Sequence, residues 1–191
     1  MKSEELLELT ASEPLTLEEE YEMQESWHLD EKKCTFILAV QVDTHKDSKP
    51  DSSNENTETS GKSTVCKFDS KSVKLIGDVN IYLNDEEDKN RGEIEIMIAE
   101  KGFQGRGIAK EALKIMMYYA IKDIGLTSVY CRILEKNVAS IKLFELLGFR
   151  FVERSEYFNE VTYEQQFDEE QVKKLTLECK HVVRAEYEGK K

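Results

Sequence analysis

At 191 residues the chain has the length of one ordinary domain, and its 27 Lys and Arg against 39 Asp and Glu give a net charge of −12. That balance argues against general nucleic-acid binding or attachment to an anionic membrane, because phosphates are repelled, and it mildly favours basic substrates. No apolar run approaches the roughly 20 residues of a membrane span, and no secretory or transit pattern opens the sequence. Cys34, Cys66, Cys131 and Cys179 show neither metal-ligand spacing nor a disulfide framework, so no metal is expected and the address is expected to be cytosolic or nucleocytoplasmic.

In chain order, Thr16-Leu17-Glu18-Glu19 reads as a capping box that starts a helix running to about His28. Lys33 to Val42 is rich in β-formers and reads as a strand. From Asp43 to about Ser72 the polar run around Lys49 to Gly61 has nothing apolar to bury, and is expected to be a mobile loop between neighbouring strands. Val73 to Leu83, with Gly77 as a candidate bulge, and Glu93 to Ala99 are the next strands, joined by a polar turn over Asn84 to Arg91. A helix to about Asp123 follows, with Ile108, Ala112, Ile115, Met116 and Tyr119 inward and Gly125 as its stop. Thr127 to Ile133 is a strand, Asn137 opens a helix, and Phe149 to Tyr157 and Val161 to Phe167 are the last strands. From about Asp168 a C-terminal helix carries a stripe of Val172, Leu175 and Cys179.

The run Gln104-Gly105-Arg106-Gly107-Ile108-Ala109 stands between a strand and a helix start. That order leaves N–H groups unpaired at the positive end of the helix, where a phosphate is favoured. Gly105 and Gly107 allow close approach, and Arg106 and Lys110 add positive charge, so a phosphate-bearing cofactor is expected. The spacing fits neither a dinucleotide fingerprint nor a P-loop.

Q-x-x-G-x-A, from Gln104 to Ala109, resembles the acetyl-coenzyme A signature of the GNAT superfamily of N-acetyltransferases. A second run, Asn137-Val138-Ala139-Ser140 through Leu143-Phe144 to Gly148-Phe149, resembles that superfamily's N-x-x-[AS]-x-x-L-[YF]-x-x-x-G-F signature. Its local physics is that of an amphipathic helix capped by Asn137, with Ile141, Leu143, Phe144 and Leu147 inward and Gly148 at its end. Within the superfamily the resemblance runs to the N-acetyltransferase 9 family, on Lys2-Ser3-Glu4-Glu5-Leu6, Leu9 to Leu15 and Gly92-Glu93-Ile94-Glu95. The implied fold is α/β (α+β), a mixed twisted sheet flanked by helices in one domain over residues 1–191. Against that family's pattern the chain is expected to lack the first strand, which would leave a sheet edge unpaired.

The resemblance implies acetyl transfer from acetyl-CoA to an amine, most nearly the α-amino group of a protein or peptide N-terminus, with a cytoskeletal protein as one candidate acceptor. Gln104, Gly105, Arg106, Gly107, Ile108 and Ala109 would then hold the pyrophosphate through backbone N–H groups. Met97, Ile98 and Ala99 would line the pantetheine arm, and the N–H of Met97 or Ile98 would polarise the thioester, an interaction worth about 3 kcal/mol. Asn137 either reaches the pantetheine or only caps its helix. Glu93 and Glu95 leave the same face of their strand and are the candidate general bases, against the alternative of a solvent-facing polar side. The family's acid position, usually Tyr, holds Phe144, so water, Ser140, Tyr157 or Tyr163 would have to protonate the thiolate. His28, His45 and His181 lie outside both motifs and are read as surface residues. Glu13, Glu18 to Glu20 and Glu22 either hold a cationic amine or form a solvated face. A GNAT-fold interaction protein with little catalysis, for example one bound to the cytoskeleton, is the alternative.

Overall fold

The computed structural model describes residues 7–8, 13–41 and 73–184; the predicted mobile loop at 43–72 lies outside them, as do His45, Cys66 and most of the N-terminal run. The helix α1 (Leu17–Leu29) begins as its capping box dictates: the Glu19 N–H donates to Thr16 Oγ1 at 3.3 Å and the Thr16 N–H to Glu19 Oε2 at 2.7 Å. Strand β1 (Lys33–Gln41) follows, then β2 (Val73–Tyr82) and β3 (Arg91–Ile98). The helix α2 (Ile108–Tyr119) runs on through a π turn over Ala120–Ile124 rather than as regular helix, and Gly125 ends it in the left-handed region. Strand β4 (Ser128–Leu134), helix α3 (Val138–Leu147), strands β5 (Arg150–Ser155) and β6 (Glu160–Gln166) and helix α4 (Glu169–Glu178) complete the order.

The strands form one mixed sheet in the order β1-β2-β3-β4-β6-β5, in which β3 and β4 are parallel and the other neighbours antiparallel. Val79 and Ile81 of β2, Ile94 of β3 and Val129 and Cys131 of β4 pack with Leu113, Met116 and Met117 of α2 in one buried cluster. Each such side chain contributes about 1.5–3 kcal/mol by leaving water. The inward face of α2 is therefore wider than the sequence reading: Leu113 and Met117 are fully buried, whereas Ile108, Ile115 and Tyr119 are half-buried. The reason is that α2 is covered on two sides, by the sheet and by Leu175 and Cys179 of α4.

The bulge expected at Gly77 falls one residue earlier, since the register passes from Leu38 opposite Gly77 to Ala39 opposite Leu75 and skips Ile76. Gly77 has a different task. A Cβ there would stand 1.9 Å from the Met97 carbonyl oxygen, so glycine alone lets β2 and β3 close beside the end of β3. Gly77→Ala is expected to cost about 3 kcal/mol or more, because backbone rather than a flexible side chain must yield. Thermal unfolding reads this directly, and a variant melting with the parent would refute it.

Candidate active site

Strands β3 and β4 pair over three positions only, Arg91 with Ser128, Gly92 with Val129 and Glu93 with Tyr130. Past Glu93 they part, although β3 continues to Ile98 and β4 to Leu134. The gap opens into a cleft of about 690 Å³, roofed by Glu20, Met23 and Trp27 on one face of α1. Alternation in β2 and β3 sends Asp78, Asn80 and Tyr82, with Glu93, Glu95 and Met97, to the cleft side, while Val79, Ile81 and Ile94 turn to the core.

The two candidate bases have different surroundings. Glu93 is only 7 % exposed and accepts from Arg132 twice, from Nε at 2.8 Å and from Nη2 at 2.5 Å, with the Tyr130 hydroxyl a further donor at 3.3 Å. Those donors engage both oxygens of Glu93. Arg91 braces this corner by stacking on the Tyr130 ring at 4.0 Å while its guanidinium reaches Glu164 and Asp85. Glu95 touches water but sits low in the cleft. Burial by the walls first, and the Glu93 charge second, push its carboxyl above the ordinary range, against the Tyr82 hydroxyl and Lys33, which pull it down. A carboxylate that meets solvent, has a neighbouring negative charge and holds protons more tightly than usual is suited to accept one.

Which N–H groups face the gap is settled by parity. The Asn90 carbonyl accepts from Thr127 and Ser128 on the β4 side, the Ile98 carbonyl accepts from Gln104 Nε2 at 2.8 Å, and the Ala99 N–H donates to Ile76 on the β2 side at 2.8 Å. In an antiparallel partner of β2, odd residues therefore bond to β2 and even residues turn away from it. The N–H of Ile98 faces the gap and that of Met97 does not, so Met97 contributes only its side chain to the cleft wall. Neither Ile98 nor Ala99 is among the residues lining the cleft itself, and the Ala99 N–H is committed to Ile76.

The glycine turn stands beyond the end of β3, outside the cleft. A 3-10 turn over Lys101–Phe103 leads into Gln104, whose side chain ties the turn to Ile98. Gly105 and Gly107 have φ of 71° and 82°, the left-handed region that other residues enter at a cost. Gly107 is the N-cap of α2 with no side chain to satisfy it, and the first helical bond is from Glu111 to Gly107 at 3.1 Å. The N–H groups of Ile108, Ala109 and Lys110 thus have no intrahelical acceptor. A Cβ at Gly105 or Gly107 would meet nothing within 4 Å, so the space over these donors is open and a diphosphate fits there. Arg106, stacked on Phe103 at 5.0 Å, and Lys110 stand beside it.

On the opposite wall Asn137 caps α3 by accepting from the Ser140 N–H at 3.1 Å, which leaves its amide nitrogen available at the cleft. Capping and ligand contact are thus compatible rather than alternatives. Phe144 is buried edge-to-face on Phe149 at 4.9 Å. Tyr163 donates to Glu145 at 3.1 Å and Tyr157, at 87 % exposed, lies in a turn past the end of β5; neither borders the cleft, whereas Ser140 does. Glu13 and Glu20 border it too, while Glu18, Glu19 and Glu22 do not. His181 stands 3.5 Å from Glu111, away from the cleft, and His28 is exposed in the last turn of α1.

Residues 2–150 match the family model described as an acetyltransferase (GNAT) domain. The chain belongs to the GNAT acetyltransferase family. It is 40% identical over 188 residues to human alpha/beta-tubulin-N-acetyltransferase 9, covering 98% of this chain and 81% of that one. It is 42% identical over 178 residues to the N-acetyltransferase 9-like protein of Nematostella vectensis, covering 93% and 79%. Among solved structures it is similar to spermidine N-acetyltransferase from Vibrio cholerae in complex with CoA and spermine. That match has a TM-score of 0.57 at 16% identity over 82% of that chain and 85% of this one, a likeness of fold.

As a GNAT acetyltransferase the chain is an enzyme. Several cleft residues of this GNAT domain escaped the sequence reading, Arg132, Tyr82, Lys33 and Trp27, as did Tyr130, which donates to Glu93. A partial signal existed in the polar alternation Asp78-Asn80-Tyr82 between Val79 and Ile81, which marks a strand with one wet face. Nothing local paired Arg132 with Glu93, which are 39 positions apart.

Proposed function

We propose that this protein transfers the acetyl group of acetyl-CoA to the α-amino group of a protein N-terminus. The observation that carries the reading is a solvent-accessible carboxylate, Glu95, lining a cleft at the parting of β3 and β4, in the same domain as a helix N-terminus with free donors. The diphosphate lies on the turn at Gln104 to Ala109, and the pantetheine arm follows the open edge of β3, with the Asn137 amide on its other side. The acceptor arrives as an ammonium, for which the carboxylates of Asp78, Glu93 and Glu95 make a favourable field. Glu95 takes its proton, directly or through water, and the neutral amine attacks the thioester carbonyl. Developing oxyanion charge is met by the Ile98 N–H. The C–S bond breaks, and the departing sulfur takes a proton from water or the Ser140 hydroxyl, since Phe144 has none to give.

The names of the human and mouse relatives point to tubulin as the acceptor protein, a cytoskeletal one. Peptides with free and with blocked α-amines, incubated with the full chain and acetyl-CoA, test the proposal. Acetylation of the free amines alone is expected. Saturable acetyl-CoA binding with no transfer to any free α-amine would overturn it.

A further inference from the structure

The sheet fixes the side from which an amine can reach the thioester. An acyl carbonyl that accepts from the Ile98 N–H lies near the sheet plane, as a ladder carbonyl does, so a nucleophile must approach it from one face of the sheet. The face that carries Val79, Ile81 and Ile94 is packed against α2, which leaves the cleft face. On that face the carboxylate nearest in register is not Glu95. Gly77 stands opposite Ile98 and Asp78 opposite Met97, so Asp78 lies in the row beside the Ile98 N–H, with its Cα about 4.5–5.5 Å from that of Met97. The next row on this face is Asn80 with Glu95, and the one after it Tyr82 with Glu93. Asp78 and Glu95 are therefore diagonal neighbours, about 7–8 Å apart at the backbone, a separation across which two carboxyl groups can meet one amine.

Asp78 is half-buried and held from behind. Its Oδ2 accepts from Asn80 Nδ2 at 2.7 Å, and Asn80 Oδ1 accepts from the Thr35 hydroxyl at 2.6 Å. An ionised carboxylate can only accept, so Asn80 must turn its nitrogen to Asp78 and its oxygen to Thr35, and the Thr35 hydroxyl must donate. Asn80 is only 6 % exposed, and Thr35, on β1, does not line the cleft. Burial first pushes the Asp78 carboxyl above the ordinary range, against the Asn80 bond and Lys33, so its surroundings balance its charge incompletely and a cation arriving there is favoured.

We infer that Asp78 anchors the acceptor's ammonium beside the thioester, and that Thr35, from outside the cleft, holds Asp78 in place through Asn80. The inference rests on the function proposed above and gives Asp78 and Glu95 separate tasks. The ammonium donates one N–H to Asp78 and another to Glu95. The proton on the Glu95 side passes to that carboxylate, and the electron pair it leaves on nitrogen forms the C–N bond as the C–S bond breaks. The sulfur is protonated as described above. The N–H retained on Asp78 keeps the nitrogen from turning while this happens, and Thr35 and Asn80 are positioning residues that act only through Asp78.

The test titrates the full chain, saturated with CoA so that nothing turns over, with two forms of a peptide that the protein acetylates: one with its free α-amine and one with hydrogen in place of the amine. Asp78→Asn keeps the size of the side chain, and Asn80 still claims its oxygen, so an NH2 group faces the ammonium. It is expected to weaken the free-amine peptide ~10-fold or more and the amine-less peptide less than ~2-fold, with CoA affinity and thermal unfolding unchanged. Thr35→Val has the same shape without the hydroxyl. It should reproduce the selective loss at ~3-fold or more, and Thr35→Ser should restore the parent's affinity. Equal losses for both peptides in Asp78→Asn, or no loss for either, overturn the anchor and leave the proposed function standing. Thr35→Val binding both peptides as the parent does overturns the role given to Thr35. If the parent acetylates no free-amine peptide, the proposed function falls and this inference with it.

Discussion

Glu95→Gln is expected to slow acetyl transfer ~10²–10⁴-fold while acetyl-CoA affinity is kept, the loss that follows from removing a positioned general base. The amide is nearly isosteric and still accepts from Tyr82, so the cleft keeps its shape. The pH dependence of kcat/KM checks the same assignment with a defined sign. The working form is the carboxylate, so the rate rises as pH passes upward through the Glu95 pKa. Because burial and then Glu93 hold that pKa above the ordinary carboxylate value, the acid limb lies on the high side of the usual glutamate range. In Glu93→Gln the neighbouring charge is gone and the limb moves to lower pH, although not to the unperturbed value, since burial is the larger cause. The same variant weakens the grip on Arg132 and lowers stability by about 1–2 kcal/mol, a figure reduced because Arg132 is half exposed. Full transfer activity in Glu95→Gln would remove the base assignment. A collapse in Glu93→Gln with Glu95→Gln unaffected would exchange the two roles.

Gly107→Glu is expected to weaken acetyl-CoA binding by about 100-fold or more. Two effects add at this position. A side chain at φ 82° costs about 1–2 kcal/mol of backbone strain, and a carboxylate placed over the N-terminus of α2 competes with the diphosphate for the free N–H groups. A Cβ at Gly107 meets nothing within 4 Å, so the domain as a whole should still fold, and the binding loss can be read by calorimetry on folded protein. Gly107→Ala separates the effects: it keeps the strain and lacks the charge, so it should weaken binding much less. Equal losses in both variants would mean that backbone geometry alone governs the site; no loss in either would mean that the diphosphate lies elsewhere.

Much of the fold was legible because its signals are local. Thr16 with Glu19, Asn137 with Ser140, Asp168 with Gln171 and the left-handed Gly125 and Gly148 set element ends through contacts within a few residues, and each end falls within a residue or two of its expected place. The wide buried face of α2 was only partly legible, because Leu113 and Met117 are buried in a cluster shared by the sheet and α4, and the packing of those elements on α2 is a tertiary fact. In the site, the glycine turn and its helix start were legible because strand, glycines and helix start are consecutive in the chain.

The sequence by itself determined the family, the order of elements and the position of the uncapped, glycine-led helix N-terminus, since all three are carried by short runs with their own backbone requirements. It also placed Glu93 and Glu95 on one face, by the period of a strand. Only the tertiary structure gave them different surroundings, because Arg132 and Tyr130 reach Glu93 from β4 while Glu95 lies past the last paired position, where the strands have parted. The same parting turned the Ile98 N–H into the gap and committed those of Met97 and Ala99 to β2, a choice of parity that no side-chain pattern records. The Lys33 ammonium likewise meets the Trp27 ring of α1 and the Tyr82 ring of β2, contacts set by how a helix lies across a sheet.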